Sequence, residues 1–265
     1  MRIKDIAELF EEKFPLSYAF DGDNVGLIVG DKTAEVSKVL LTCDVDEQVV
    51  AEAIEKNANL IFSHHPLMFN PISSLTEDNA EMRAIRLMIA HGISLYSAHT
   101  NLDTAQGGLN DYMAYLLGME KTEVIDVICE DKRGVAGYGR MCTLDNPVTM
   151  KELMDKVIKV FDTDGLKYTG SLIDKVQKLA INTGGGAGII DKCIEMGCDT
   201  LITGDVKYNG YLDALSCGLK IVDIMHFDSE KICKELFENW FSDNIVSVET
   251  AKSTANVNLI KSYHI

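Results

Sequence analysis

"KVLLTCDVDEQVVAEAIEKNANLIFSHHP", Lys38 to Pro66, decides the architecture. It opens on an apolar run, "KVLLTCDV", passes through "DEQVVAEAIEKNA", which reads as a helix, and closes on a second apolar run, "NLIFSHH". Strand, helix, strand is the unit from which parallel sheets are built, with the helix crossing one face. The pattern continues through the amphipathic "NAEMRAIRLMIAHG" to a third strand, "ISLYSAHT". A largely parallel sheet with helices on its faces follows.

A second series begins after the polar stretch "CEDKRGVAGYGR", Cys129 to Arg140, which suggests a lobe boundary near residue 125. "VTMKELMDKVIKVF" is a helix and "VQKLAINTG" a strand; "AGIIDKCIEMG", "GYLDALSCG" and "SEKICKELFENWF" are helices alternating with the strands "DTLITGD" and "LKIVDIMH". The expected fold is therefore α/β: two similar α/β/α lobes with mixed, largely parallel sheets, residues 1–124 and 125–265. The segment after about 245 packs back on the first lobe.

Composition narrows the function. The 265 residues are 46% hydrophobic, enough for a sizeable core. Lys and Arg total 25 against 41 Asp and Glu, and a net charge of −16 without a basic cluster argues against nucleic acid as a partner. A bound cation would reverse the local field in an acidic cleft. The seven cysteines (Cys43, Cys129, Cys142, Cys193, Cys198, Cys217, Cys233) are scattered, lack a CxxC pair and read as reduced, mostly core residues. "MRIKDIAELFEEKF" sets Ile3, Ile6, Leu9, Phe10 and Phe14 on one helix face, unlike a signal peptide. No segment approaches the roughly 18 apolar residues of a membrane span. A cytoplasmic protein with no membrane partner is expected.

In open parallel sheets ligands gather outside the carboxyl ends of the strands. Four of the six histidines stand there: His64 and His65 after "LIFS", His99 after "SLYSA" and His226 after "LKIVDIM". His91 precedes Gly92 at a helix C-terminus, where an imidazole meets the negative end of the dipole, and His264 reads as part of a frayed end. "HTNLD" sets Asp103 four residues after His99, and "HFDSE" sets Glu230 four after His226. In a helical turn that spacing brings both side chains to one face.

Imidazole nitrogens with carboxylate oxygens suit zinc, iron, manganese or cobalt, and the absence of a thiolate set argues against a structural zinc. Pro66 imposes an extended or turning backbone at His65. Where the pleat is lost, two adjacent imidazoles can enter one cavity and serve two ions, one each, with a carboxylate bridging. His64, His65, Asp103, His226 and Glu230 supply five ligands for two divalent metal ions per chain, and His99 is a sixth ligand or a catalytic proton carrier. Such a pair keeps positions open to water, as a catalytic centre does. Two further features sit nearby in sequence. "TGGGAG", Thr183 to Gly188, is either a tight strand-to-helix turn or an anion site. In "TGD", Asp205 reads first as a helix cap and second as a support for a metal ligand, with Lys207 placed to meet a phosphate.

"DNVGL", "SHHPLMF", "SAHTNLD", "GYGR", "TGGGAG", "TGDVKYN" and "HFDSE", in this order, give a chain that resembles the GTP cyclohydrolase 1 type 2 homologue family, in a short form without the inserted middle domain. The resemblance implies a homohexameric toroid of two-lobed subunits with a dinuclear metal site between the lobes. It carries the family's ligands onto His64, His65, Asp103, His226 and Glu230, with Glu230 as the bridge. This chain departs from the family at Gly22, Asn209 and Met225, where tryptophan, histidine and glycine are frequent. The function expected is a metal-dependent hydrolase acting on a nucleotide or other phosphorylated small molecule, the family name pointing to opening of the GTP imidazole ring. The alternative is a non-catalytic hexameric protein that binds metal for storage or interaction.

Overall fold

The computed structural model describes residues 1–261; His264 lies outside them. In chain order the first elements are α1 (Ile3–Lys13), β1 (Gly26–Val29), β2 (Lys38–Thr42), α2 (Glu47–Glu55), β3 (Leu60–Ser63), α3 (Ala80–His91), β4 (Ser94–Ser97) and α4 (Thr100–Thr104). Then come α5 (Leu109–Leu116), β5 (Glu123–Asp131), β6 (Gly134–Thr149), α6 (Met150–Phe161), β7 (Lys167–Tyr168), β8 (Lys175–Gly185), α7 (Ile190–Glu195) and β9 (Thr200–Gly204). The chain closes with α8 (Tyr208–Ser216), β10 (Lys220–Asp223), α9 (His226–Glu230), α10 (Cys233–Asn244) and β11 (Glu249–Lys252).

These elements form two compact units, one from Met1–Leu102 with Cys233–Val257, the other from Asp103–Ile232 with the described residues that follow Val257. The change of unit falls inside α4, ahead of the boundary expected near residue 125. The polar stretch Cys129–Arg140 is no lobe boundary: it carries the turn of a β5–β6 hairpin, with its first three residues ending the edge strand β5. The return of the chain to the first unit begins at Cys233, with α10, and not only after 245.

The first sheet has the order β1-β4-β3-β2-β11, with β1 antiparallel to β4 and the other pairs parallel. Its strands alternate between two apolar layers. Phe62 stacks on Tyr96 at 4.8 Å and meets the edges of Phe10 and Phe237 at 4.9 Å each, so α1 and α10 cover this face. Ile61, one residue earlier, faces the other way with Leu40 and Leu95, into Val49, Val50, Met82, Ile85 and Met88 of α2 and α3. Asp46 caps α2 by accepting from the Val49 N–H, and Gly92 ends α3 in the left-handed region at φ 65°. His91 stands in the last turn of α3, as its spacing predicts.

The segment after β11 is held by one buried carboxylate. Glu52 on α2 accepts from Ser253 Oγ at 2.5 Å, from the Thr254 N–H and hydroxyl at 2.9 and 2.8 Å, and from the Ala255 N–H at 3.1 Å. Burial alone would raise its pKa, but these donors together hold it down at about 2 against an ordinary 4.5. A depressed carboxylate stabilises the fold fully above its unfolded pKa and loses that contribution as pH falls through the folded one. Glu52→Gln is therefore expected to cost about 2 kcal/mol at neutral pH, with the gap to the native chain closing between pH 4.5 and 2 in denaturation curves. An equal gap at pH 7 and pH 2 would contradict it.

The second sheet has the order β5-β6-β8-β9-β10-β7. Only β8, β9 and β10 run parallel; β5, β6 and β7 pair antiparallel. Ala180, Leu201 and Ile221 of the parallel strands pack with Ile190 and Cys193 of α7 and Ala214 of α8. On α6, Met150, Leu153, Met154, Val157 and Phe161 are buried at helical spacing, and the Thr149–Glu152 capping box starts the helix.

Candidate metal centre

In the first unit β3 ends at Ser63, and the two histidines follow while still hydrogen-bonded to the end of β2: the His64 N–H donates to Thr42 O and the His65 N–H to Cys43 O. Ser63 Oγ donates to the His65 carbonyl at 2.8 Å, which turns the backbone over the strand end. The strict in-out alternation is lost there, and the His64 and His65 ring centroids lie 4.9 Å apart with 41° between planes. His99, beyond the end of β4, completes a triangle at 5.3 and 5.4 Å from them. One nitrogen from each of the three lies within 4.8 Å of the others. His64 is fully buried and the other two mostly so.

Each ring has its tautomer set by an acceptor. His64 Nδ1–H donates to the Ala98 carbonyl at 2.8 Å, His65 Nδ1–H to Asp44 Oδ1 at 2.7 Å and His99 Nδ1–H to the Asp23 carboxylate at 2.9 Å. In a neutral imidazole this leaves the lone pair on Nε2. Burial disfavours the charge on Asp23, but His99 and the Thr100 hydroxyl and N–H outweigh it and hold its pKa at about 2. Asp23 is therefore an anion under all ordinary conditions.

The second unit presents the carboxylates. His226 and Glu230 stand at the two ends of α9, with Nε2 and Oε2 2.9 Å apart, as the four-residue spacing predicts. His226 Nδ1 meets Asp205 Oδ2 at 2.9 Å. Asp205 is thus the support of a candidate ligand; the cap reading fails because α8 starts after Lys207 and Asp205 takes a left-handed φ of 55° that turns its carboxylate to His226. Asp103 is buried and accepts from Thr183 Oγ1 at 3.4 Å.

Two positions of the glycine run are fixed by close neighbours, one of them in this cluster. Gly184 has φ +59°, and a Cβ there would overlap Glu230 Oε1 and stand 3.2 Å from His226 Cε1. At Gly186 a Cβ would overlap the Thr203 hydroxyl. Residues 187–189 form a single 3-10 turn and α7 is only six residues long, so no extended helix N-terminus is offered to an anion. Arg140 is likewise turned inward. Its guanidinium pairs with Asp111 and donates to the carbonyls of Gly137 (2.8 Å), Gly139 (3.0 Å), Thr104 (3.3 Å) and Ala105 (3.2 Å). Lys207 is exposed at the start of α8.

The family model Duf34/NIF3 (NGG1p interacting factor 3) matches residues 1–258. The chain belongs to the Duf34/NIF3 family. Curated relatives named "GTP cyclohydrolase 1 type 2 homolog" include a Clostridium perfringens protein, 37% identical over 92% of this chain and 94% of that protein, and one from Lactococcus lactis, 39% identical over 86% of each. The crystal structure of a Bacillus cereus protein related to NIF3 matches with a TM-score of 0.91 at 25% identity, covering 99% of both chains. A Staphylococcus aureus hypothetical protein, SA1388, matches with a TM-score of 0.88 at 30% identity over 99% of both. The two mixed α/β sheets are thus those of NIF3 structures, and the chain carries histidine and carboxylate clusters that could hold metal. Asp205 orients His226, the second of its two sequence readings; Asp23 and Asp44, which orient His99 and His65, carry no signal in the sequence, because isolated loop aspartates 76 and 21 residues from their partners leave no local pattern. Among the described residues no helix is long and apolar enough to cross a membrane.

Proposed function

We propose that this chain is a cytoplasmic dinuclear metal-dependent hydrolase, with His64, His65, Asp103, His226 and Glu230 as the ligands of two divalent ions. What carries the reading is the donor set: imidazoles whose Nδ1 atoms are each engaged by an acceptor, which fixes Nε2 as the coordinating atom and raises its basicity. Hard carboxylates beside borderline nitrogens fit zinc, iron, manganese or cobalt. When bound, such ions lower the pKa of water and polarise a phosphoryl or carbonyl oxygen.

The residues divide the remaining work. Asp44 and Asp205 orient His65 and His226 for binding. His99, paired through Nδ1 with an Asp23 that stays ionised, is suited to accept a proton at Nε2 and hold it as imidazolium beside that carboxylate. The substrate proposed is a nucleotide or other phosphorylated small molecule, with GTP ring opening as the activity that the relatives' name carries. A homohexamer is proposed from the same family likeness.

One observation favours the second function, metal binding without catalysis. Arg140 spends its donors on Asp111 and backbone carbonyls, and within the glycine run only Gly185 and Gly188 stay open, so of the two basic residues expected to meet a phosphate only Lys207 is exposed. Elemental analysis of protein purified without chelator, followed by nucleotide turnover before and after chelation, separates the two. Nearly two ions per chain with turnover lost on chelation is the expected result. Two ions with no turnover of any nucleotide would favour the non-catalytic function, and no stoichiometric metal would sink both.

A further inference from the structure

We infer that Asn256, near the far end of the chain, is a positioning residue for His65, acting through Asp44; this rests on the metal-binding function proposed above. Asn256 is 213 residues from Cys43, yet its Oδ1 accepts from the Cys43 N–H at 3.0 Å and the Asp44 N–H at 3.2 Å. Its Nδ2 donates to Asp44 Oδ2 at 3.0 Å, while Asp44 Oδ1 accepts from His65 Nδ1 at 2.7 Å. One carboxamide thus holds both the backbone and the side chain of Asp44, and the two carboxylate oxygens are divided between the amide and the imidazole.

The need for such a hold follows from exposure. The Asp44 side chain is 46% exposed, so water competes for it, whereas Asp23, which serves His99, is 8% exposed and takes three donors from its own unit. Asn256 is itself buried, and its N–H donates to Ser253 Oγ, which donates in turn to Glu52. The chain of contacts runs Glu52, Ser253, Asn256, Asp44, His65. The C-terminal segment therefore does what the local sequence around Asp44 does not: it stops the carboxylate from swinging into solvent and keeps the His65 ring presented through Nε2. Partners of this kind, one step behind a ligand, change metal affinity by roughly 10- to 100-fold when removed.

The test compares native protein with Asn256→Ala and Asn256→Ser by zinc competition with a chelating dye and by proton NMR of the imidazole N–H signals, assigned through Asp44→Ala and Asp23→Ala. Zinc affinity should fall about tenfold. The His65 Nδ1–H signal should broaden or shift while that of His99 stays in place, because loosening of the fold as a whole would move both. Unchanged affinity with an unchanged His65 signal, or equal movement of the two signals, would overturn the inference. If the native protein takes up no zinc, the metal function fails; the ring signals of the metal-free protein then decide the role of Asn256 by the same criterion. Should the alanine variant not fold, the serine variant, which keeps a hydroxyl to accept from the Cys43 N–H, carries the comparison.

Discussion

Gly184→Ala is expected to remove metal from the protein, while Gly185→Ala, one residue away, leaves it bound. A methyl group at 184 would occupy the place of Glu230 Oε1 and press on the His226 ring, and both neighbours sit on α9, whose Ser229 Oγ accepts from the Gly184 N–H at 2.8 Å. The helix cannot retreat without breaking that bond. The left-handed φ of +59° adds strain of about 1–2 kcal/mol for any L side chain. At Gly185 a Cβ would meet nothing within 4 Å and the backbone is not left-handed. Metal content per chain, with circular dichroism to confirm folding, distinguishes the pair. A metal content equal to that of the native protein in a folded Gly184→Ala variant would show that Glu230 and His226 need not approach the backbone so closely.

Arg140→Met is expected to produce the largest loss of stability, about 3–5 kcal/mol, because it removes one partner of a buried ion pair and leaves the other. The side chain is 2% exposed, and without the guanidinium the carbonyls of Gly137, Gly139, Thr104 and Ala105 lose their donor while Asp111 loses its counter-ion. Metal content of the folded fraction should not change. Denaturant titration checks the first statement and elemental analysis the second. Native-like stability with weakened binding of a phosphorylated ligand would instead place Arg140 in substrate recognition.

Much of the architecture was legible because burial leaves a periodic trace. "NLIFSHH" and "ISLYSAH" read as strands whose ends carry histidines, and β3 and β4 stop at Ser63 and Ser97, just ahead of them. Likewise "HFDSE" read as a helical turn, and α9 is that turn. The β5–β6 hairpin was missed because an edge strand with exposed polar residues looks like a boundary between lobes, and β1 because four residues against the outer side of β4 give too short a pattern. Of the imidazole partners only Asp205 reads as a ligand support, and which imidazole each aspartate serves was illegible for a different reason. Asp44–His65, Asp23–His99 and Asp205–His226 exist only once distant segments close, and no spacing rule connects them.

The return of α10 and β11 to the first unit has a consequence for biosynthesis. A ribosome delivers all of the second unit but the residues after Val257 as one uninterrupted segment, Asp103–Ile232, so most of it can fold as soon as it emerges. The earlier-made first unit must wait. Its sheet lacks the β11 edge beside β2, its aromatic layer lacks Phe237 and Trp240, and Asp44 lacks Asn256 until the last part of the chain is synthesised. The order of translation is therefore reversed in the order of completion, and nascent chains stalled before residue 233 would expose Phe10 and Phe62 to chaperones although four of the five strands of the histidine-bearing sheet had already been made.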